Sequence, residues 1–453
     1  PPSPPPPRSF LHHLNKKMMR TFSLMVFLAT TFSTHGHREL PAPESDFVLS
    51  CPHCIGNVEF TYLNVGTLGP SPKCVMDEVY SKMLQLETNP NFEYYANYYL
   101  GGQAARMTAG KFMHCSYKDV LLMPSTTVSM NLLGQGLVDS GFLKTGDRVL
   151  TSNQEHAGAI NIFQHHVNVT GIQMDSAILP IQNMTKQTVL DVFKRTLDDA
   201  NDDPYKVVMF SHVLTTTGFL MPVKEISALI KVHNPSAMIL IDGAQAPGGI
   251  DVNFDDLDVD AYATSSHKWQ LSPKGSALLI IKDGSKQFFK DSYLDGGFGD
   301  DVSEYSGSFG IKTSSTGTLP SHTIAGQRKS MEYLMDFGMK NVEAYNVGLR
   351  MRFQEGLLKL GLPVLGALTA SDSSPMITFG LPDDKEASKM ANKLWLKHGF
   401  YVKITGRGAY PNEWPSDAPL NALRVSFHVY NTEAQCDNLL SVLASVLNDH
   451  DDE

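Results

Sequence analysis

The chain has 453 residues, of which 42% are hydrophobic and 19% charged, too long for one minimal core and too apolar for disorder. Its formal net charge of −10 excludes a general nucleic-acid binder, which needs a basic face. An anionic ligand must therefore be held by a local, preorganised site.

Residues 1–17, "PPSPPPPRSFLHHLNKK", are expected to form a proline-rich disordered tail. Residues 18–36 have the charged, apolar, small-residue order of a secretory signal peptide, which suggests a secreted protein. The apolar run Thr21 to Phe32 is too short to cross a bilayer, so no membrane span is expected. An arm and a loop follow over 37–75, with disorder expected through about Ser50. "CPHC" (Cys51, Cys54) could form a local disulfide or a redox pair, but it lacks the second ligand pair of a zinc site and the strand–helix context of a redox motif, so the plainer reading is two cysteines in an arm whose state the sequence leaves open. The sequons at Asn168 and Asn183 matter only if the chain is secreted.

From Lys118 to Lys282, strand-like runs alternate with helix-like ones. "DVLLMP", "DRVLTS", "YKVVMFSHV", "AMILIDG", "DAYATS" and "SALLIIK" read as strands, many continuously apolar, as strands buried on both faces are. "MPVKEISALIKVHNP" reads as helix, with Pro235 as its stop. This alternation predicts an α/β domain with a mostly parallel sheet flanked by helices, assigned to 76–320. A long helix from His322 to Leu360 follows. Then come a strand ("SPMITFG"), a helix ("KEASKMANKLWLKHG"), the strands "YVKIT" and "LRVSFHVY", and a helix from Thr432. That pattern suits a smaller α+β C-terminal domain over 321–453.

In an open α/β sheet, ligands bind beyond the carboxyl ends of the strands. After "DVLLMP" comes Ser125-Thr126-Thr127 at a helix start, a ready anion site. After "DRVLTS" comes Glu155-His156. After "AMILI" come Asp242 and, three residues on, Gln245. After "DAYATS" comes Ser266-His267-Lys268-Trp269. Each has a plain structural reading alone, as a helix cap, a core histidine, a turn or a surface lysine. Together at one edge they match the needs of pyridoxal 5′-phosphate (PLP). Its aldehyde takes a lysine amine, its phosphate a helix N-terminus with hydroxyls, its pyridinium a carboxylate and its ring a stacking partner.

At these motifs, "IDGAQ", "SSHKW" and "RVSFHVYNT", the chain resembles the class V aminotransferases of PLP fold type I, from about Asn64 onward. The resemblance implies that Lys268 carries the coenzyme as a Schiff base and that Asp242 pairs with the pyridinium nitrogen. It places Gln245 near the ring hydroxyl and stacks His156 on the ring. It assigns the phosphate to Ser125, Thr126, Thr127, Ser265 and His267, with Thr318 of "STGT" reaching over from a neighbouring subunit of a homodimer. Pro320 stands where the family often has an acidic residue, which makes Thr318 the weakest of these matches. Arg424 would clamp the carboxylate of a small amino-acid substrate, and Asn64 of "YLNVGTLGP" would contact it from a closing loop.

The motifs leave the reaction open among C–S lyase, epimerase and aminotransferase. The "YLNVGTLGP" opening and the motif spacing look closest to the isopenicillin N epimerase-like subgroup. A sulfur-relay desulfurase would keep a cysteine in the loop "KITGRGAYPNEWP", which has none, whereas a lyase releasing its product to water needs none. An epimerase needs a second acid or base, for which Tyr94, Tyr95 and His114 are candidates. A non-catalytic secreted scaffold is opposed by the joint presence of Lys268, Asp242, His156 and Arg424.

Overall fold

A computed structural model describes residues 37–56, 58–96, 100–200, 203–289, 318–408, 414 and 416–448. The tail and signal-peptide readings of 1–36 lie outside the described residues. The elements below all belong to one compact unit, Glu39–Glu453.

The central sheet has seven strands: β2 (Val120–Met123), β3 (Arg148–Ser152), β4 (Gln173–Ala177), β5 (Val207–Ser211), β6 (Met238–Asp242), β7 (Ala261–Ser265) and β8 (Ala277–Ile281). A short β1 (Thr61–Tyr62) precedes them. The order is β2-β8-β7-β6-β5-β3-β4, and β8 runs antiparallel to both its neighbours while the other pairings are parallel. Their continuous apolar runs reflect burial on both faces. In β5, Val207 and Met209 enter one core cluster while Val208 and Phe210 enter another, and β6 divides Met238 and Leu240 from Ile239 and Ile241 in the same way.

Helices cover both faces. On one side lie α4 (Thr126–Asp139) and α5 (Ala157–Val169), packing Leu133 and Phe163. On the other lie α3 (Gly102–Phe112), α6 (Lys186–Asp198), α7 (Val223–His233) and α9 (Ser321–Met335). Earlier and shorter helices are α1 (Lys73–Thr88), α2 (Pro90–Ala96) and α8 (Phe254–Leu257). After α9 come α10 (Met339–Lys359), β9 (Val364–Leu365), β10 (Met376–Gly380), α11 (Ala387–His398), β11 (Phe400–Tyr401), β12 (Lys403–Thr405), β13 (Ala422–Ser426) and α12 (Glu433–Asn448). Here a four-stranded sheet, β12-β13-β10-β9, packs on its own core with Phe353, Leu394 and Leu443.

Four differences from the sequence expectations have clear causes. The strand β4 was missed because it is a polar edge strand, "QMDSA", with little apolar signal. The single helix expected over 322–360 is two, broken at Gly338, whose φ of 78° is left-handed. The arm before Ser50 is packed from Ala42 onward. The Ala42 N–H donates to Val429 O at 2.7 Å, and the Phe47 ring lies against Tyr430 at 5.1 Å and Tyr333 at 6.3 Å. Cys51 and Cys54 are joined in a disulfide rather than left as separate arm residues. The Trp395 indole N–H donates to Cys51 Sγ at 3.2 Å, and β1 pairs in parallel with β11, so this arm is tied to the C-terminal region.

Candidate active site

At the carboxyl edge of β2, β3, β5, β6 and β7 lies a cavity of about 330 Å³. The residues from Gly66 to Thr67 and the strands β12 and β13 supply its opposite wall. Three groups of side chains, separated in sequence, meet there.

The first group surrounds the start of α4. Ser125 caps the helix, its hydroxyl accepting from Val128 N–H at 3.2 Å, and Thr126 Oγ1 lies 2.6 Å from Ser265 Oγ at the end of β7. Thr127 and His267 complete this wall. His267 Nδ1 sits 3.1 Å from Ser276 O, which fixes the proton on that nitrogen and turns Nε2 away from the carbonyl. Burial, followed by the charges of Lys268 and Lys274, lowers the His267 pKa. Nearby, a Cβ on Gly158 would come within 2.8 Å of Thr127 Oγ1 and 3.0 Å of His156 Nδ1, so a bare backbone is required between them.

The second group is the floor. Asp242 ends β6, is 5% exposed, and accepts from Ala244 N–H at 2.9 Å. Beside it in register stands Ser211, whose hydroxyl donates to Glu155. Glu155 is buried behind the wall and also accepts from Ser152 Oγ at 2.5 Å. Burial pushes its carboxyl up to about 7, against the lowering effect of the two serines, and the Asp242 charge adds to the rise. His156 caps α5 through Nδ1, 3.0 Å from Gly158 N, with its ring exposed to the cavity.

The third group surrounds Lys268. Desolvation lowers its pKa to about 8; Asp242 opposes that shift, and Arg424 and Lys403 reinforce it. Trp269 is fully buried and donates from Nε1 to Gln245 Oε1 at 2.8 Å, while Gln245 Nε2 donates to Gly66 O at 2.9 Å. His428 Nε2 lies 2.7 Å from Trp269 O, and the two rings stack at 5.8 Å. Gly69 N–H donates to His267 O at 2.9 Å, and a Cβ there would meet Lys268 O at 2.0 Å. The N-terminal loop thus docks directly on the lysine's backbone.

Arg424 on β13 donates from Nη1 to Thr215 O at 2.9 Å and Thr215 Oγ1 at 3.0 Å, and from Nη2 to Thr67 Oγ1 at 3.3 Å. Asn64 is not part of the cavity wall. It accepts from Thr67 Oγ1 at 2.8 Å, and Gly66 and Thr67 face the cavity in its place. Thr318 is exposed and lies outside the wall of its own chain. Tyr94 and His114 also lie outside it. Tyr94 Oη accepts from Leu319 N–H at 3.0 Å, and His114 pairs with Asp251 at 3.1 Å. The Tyr95 side chain lies outside the described residues. Wall residues that the sequence reading did not single out include Thr215, Thr216, Lys403, Thr405 and Trp414. The alternation of Lys403 and Thr405 in "YVKIT" carried a signal for two of them, since a strand sends every second side chain to one face.

The aminotransferase class-V family model matches residues 62–439. The chain belongs to that family. Among curated proteins it is 25% identical to isopenicillin N epimerase of Amycolatopsis lactamdurans over 84% of this chain and 94% of that one. It is 23% identical to a probable cysteine desulfurase of Pyrococcus abyssi, covering 76% and 83% of the two chains. Among solved structures, the cysteine desulfurase of Thermococcus onnurineus NA1 superposes with a TM-score of 0.74 at 21% identity, covering 88% of this chain and 99% of that one. The cystine C–S lyase C-DES, in complex with cysteine persulfide, also gives 0.74 at 21% identity, over 86% and 98%. These structural likenesses establish the PLP fold type I architecture.

As a class-V member the chain is a PLP-dependent enzyme. The donor set of the cavity fits that coenzyme. A helix N-terminus with hydroxyls and His267 suits a phosphate, and the wall's only carboxylate among the described residues, Asp242, suits a ring nitrogen. Lys268 is the amine within the same walls.

Proposed function

We propose that this class-V enzyme breaks the C–S bond of a cysteine derivative and releases the sulfur product to water. The carrying observation is that Lys268, Asp242 and Arg424 line one cavity whose described walls hold no thiol. PLP would supply the electron sink for charge left at Cα. The start of α4, Ser125, Thr126, Thr127, Ser265 and His267 would hold its phosphate, Asp242 its ring nitrogen, Gln245 its ring hydroxyl and His156 its ring face. Arg424 would grip the substrate carboxylate with a planar fork already oriented by Thr215 and Thr67. Lys268, with a pKa brought down to about 8, would take the Cα proton, since an amine near neutrality in pKa is an effective base at working pH. Gly66 and Thr67 would exclude water from above.

The absence of a relay cysteine supports release over transfer. The stretch between β12 and β13 has no cysteine, and Cys436 is buried in α12 against Leu349 O, with its thiol pushed up to about 12 by burial. A second reading, epimerisation, is favoured by the length over which the chain matches isopenicillin N epimerase. The experiment is incubation of the purified enzyme and PLP with L-cysteine conjugates in deuterated water. Keto acid and thiol in equal amounts support the lyase. A D-product carrying deuterium at Cα, with no thiol, replaces it with the epimerase, and keto acid with aminated coenzyme replaces it with transamination. No visible coenzyme band after adding PLP defeats the enzyme reading and favours a scaffold.

A homodimer with shared sites belongs to this reading. Met76, Tyr80, Met83 and Leu84 form an exposed apolar stripe at helical spacing on α1, which a second copy would cover. The exposed Thr318 would then be available to the partner's phosphate site. A secretory destination is supported by the order of residues 18–36 and by the Cys51–Cys54 disulfide, a bond that persists in oxidising compartments. Light scattering of wild type and Met83→Glu tests the first point, and sequencing the mature N-terminus tests the second.

A further inference from the structure

The strand β4 is bracketed by two tripeptides that the cavity chemistry leaves unused. Asn168-Val169-Thr170 precedes it and Asn183-Met184-Thr185 follows it. Both have the Asn-x-Thr form that accepts an N-linked glycan in a secreted chain. Asn234-Pro235-Ser236 is disqualified by its proline, so the acceptor form occurs only at the two ends of this strand. β4 is the last strand on its side of the seven-stranded order and pairs with β3. Gln173 and Ser176 are exposed, Val169 before the strand is 62% exposed and Ile178 after it 67%. An open strand edge with apolar neighbours is a template for pairing with another chain, and folded proteins blunt such edges with charge, proline or cover. The strand has no proline, and its single charged residue, Asp175, is paired with Arg148 at 2.7 Å.

We propose that Asn168 and Asn183 carry N-linked glycans, which together cover the open edge of the sheet. This inference rests on the secretory reading above. Both asparagines are exposed. Asn183 turns the chain with a φ of 52°, a left-handed conformation in which asparagine is enriched. Met184 beside it is buried, and its N–H donates to Gly366 O at 3.0 Å, which anchors the turn. Asn168 lies in the last turn of α5, about 18 Å along the helix from the His156 cap at the cavity, so a sugar there stays clear of the site. In the transfer, Nδ2 bonds to C1 of the first sugar of a lipid-linked oligosaccharide. The bond from C1 to the lipid diphosphate breaks, the diphosphate leaves, and one amide proton passes to a base. The glycosylated amide keeps its other N–H, so Asn168 retains its bond to Gln164 O.

The test expresses the full chain in a secreting eukaryotic cell and recovers it from the medium. Peptide N-glycosidase, which removes the sugar and leaves aspartate, should lower the apparent mass in two steps. Asn168→Gln and Asn183→Asp should each abolish one step, aspartate being chosen at 183 because it tolerates the left-handed backbone. Peptide mass spectrometry reads the converted residues. Light scattering then compares wild type with the double variant at equal concentration. A several-fold rise is expected in the variant, and adding Ser176→Lys, a charge on the open edge, should reverse it. Melting curves confirm that the variants are folded. A secreted chain without sugar at one or both asparagines overturns the proposal, and equal scattering with and without sugar overturns the shielding. Failure of the secretory reading looks different: the chain stays inside the cell with residues 18–36 uncleaved, and the proposal falls with it.

Discussion

The indole N–H of Trp269 donates to the side-chain oxygen of Gln245 at 2.8 Å, so the residue that follows Lys268 in the chain holds an amide that lies just past the end of the neighbouring strand β6. Gln245 passes the constraint on through Gly66 O to the N-terminal loop. Trp269→Phe should keep most of the buried ring volume but leave Gln245 Oε1 without its donor. A loss of about 1–3 kcal/mol in unfolding free energy is expected, with a several-fold weaker affinity for PLP. Denaturant titration and coenzyme titration check this, and an unchanged pair of values would mean the bond is not a constraint on the site.

Lys268 has a pKa near 8 in the protein without coenzyme, so its neutral, nucleophilic fraction falls about tenfold for each pH unit below that value. The rate of PLP capture by the apoprotein should therefore rise with pH and level off above about 8. Lys268→Ala should show no band attributable to a lysine adduct at any pH. A capture rate that keeps rising past pH 10 would place the amine in its ordinary range instead.

Glu155 offers the opposite sign from an ordinary acid. Its folded pKa, near 7, lies above the ordinary value of 4.5, so the native state binds more protons than the unfolded state between those limits. The contribution of this group to stability is thus fully present below pH 4.5 and is lost as pH rises through 7. The cost at pH 8 is on the order of 3 kcal/mol. Glu155→Gln should remove that slope, which melting temperatures between pH 5 and 8 would reveal. If the variant and wild type run parallel, the carboxyl is ionised throughout.

Arg424→Lys keeps the charge but loses the fork, and Arg424→Ala loses both. The expected order in KM is wild type, then lysine, then alanine, with the alanine variant at least about 100-fold worse in kcat/KM, as for loss of a bidentate charged contact. Steady-state kinetics on one substrate decide it.

Gly69→Ala places a methyl where only 2.0 Å separates it from Lys268 O, so the loop must lift away from the lysine turn. Loss of the Gly69 N–H to His267 O bond should accompany the shift. Faster coenzyme release and higher substrate KM are expected, with a smaller effect on the melting temperature. Coenzyme dissociation rates provide the check.

Much of this site was readable along the chain because its parts sit at strand ends, and strands buried on both faces announce themselves as apolar runs. Asp242, Lys268 and the Ser125–Thr127 helix start were placed in this way. Asn64, expected to touch the substrate from a closing loop, does not itself line the cavity in this structure. The loop does reach the cavity, but its turn sends Gly66 and Thr67 forward and holds the asparagine behind Thr67. Glu155 was noted at its strand end without a role, since its burial against Ser152 and Ser211 depends on β5 lying beside β3. The packed arm at Phe47 was missed for a related reason: its partners, Tyr333 and Tyr430, lie far away in sequence.

By itself, the sequence determined the alternation of strands and helices, the edge at which a ligand would sit and the chemical types gathered there. Those follow from local periodicity and from the donors and charges each residue carries. Only the tertiary structure decided which of them share one cavity, that Lys403 stands opposite Arg424 in the pairing of β12 with β13, and that Trp269 restrains Gln245. These pairings join segments separated in the chain, and their geometry comes from strand order, register and packing rather than from any local pattern.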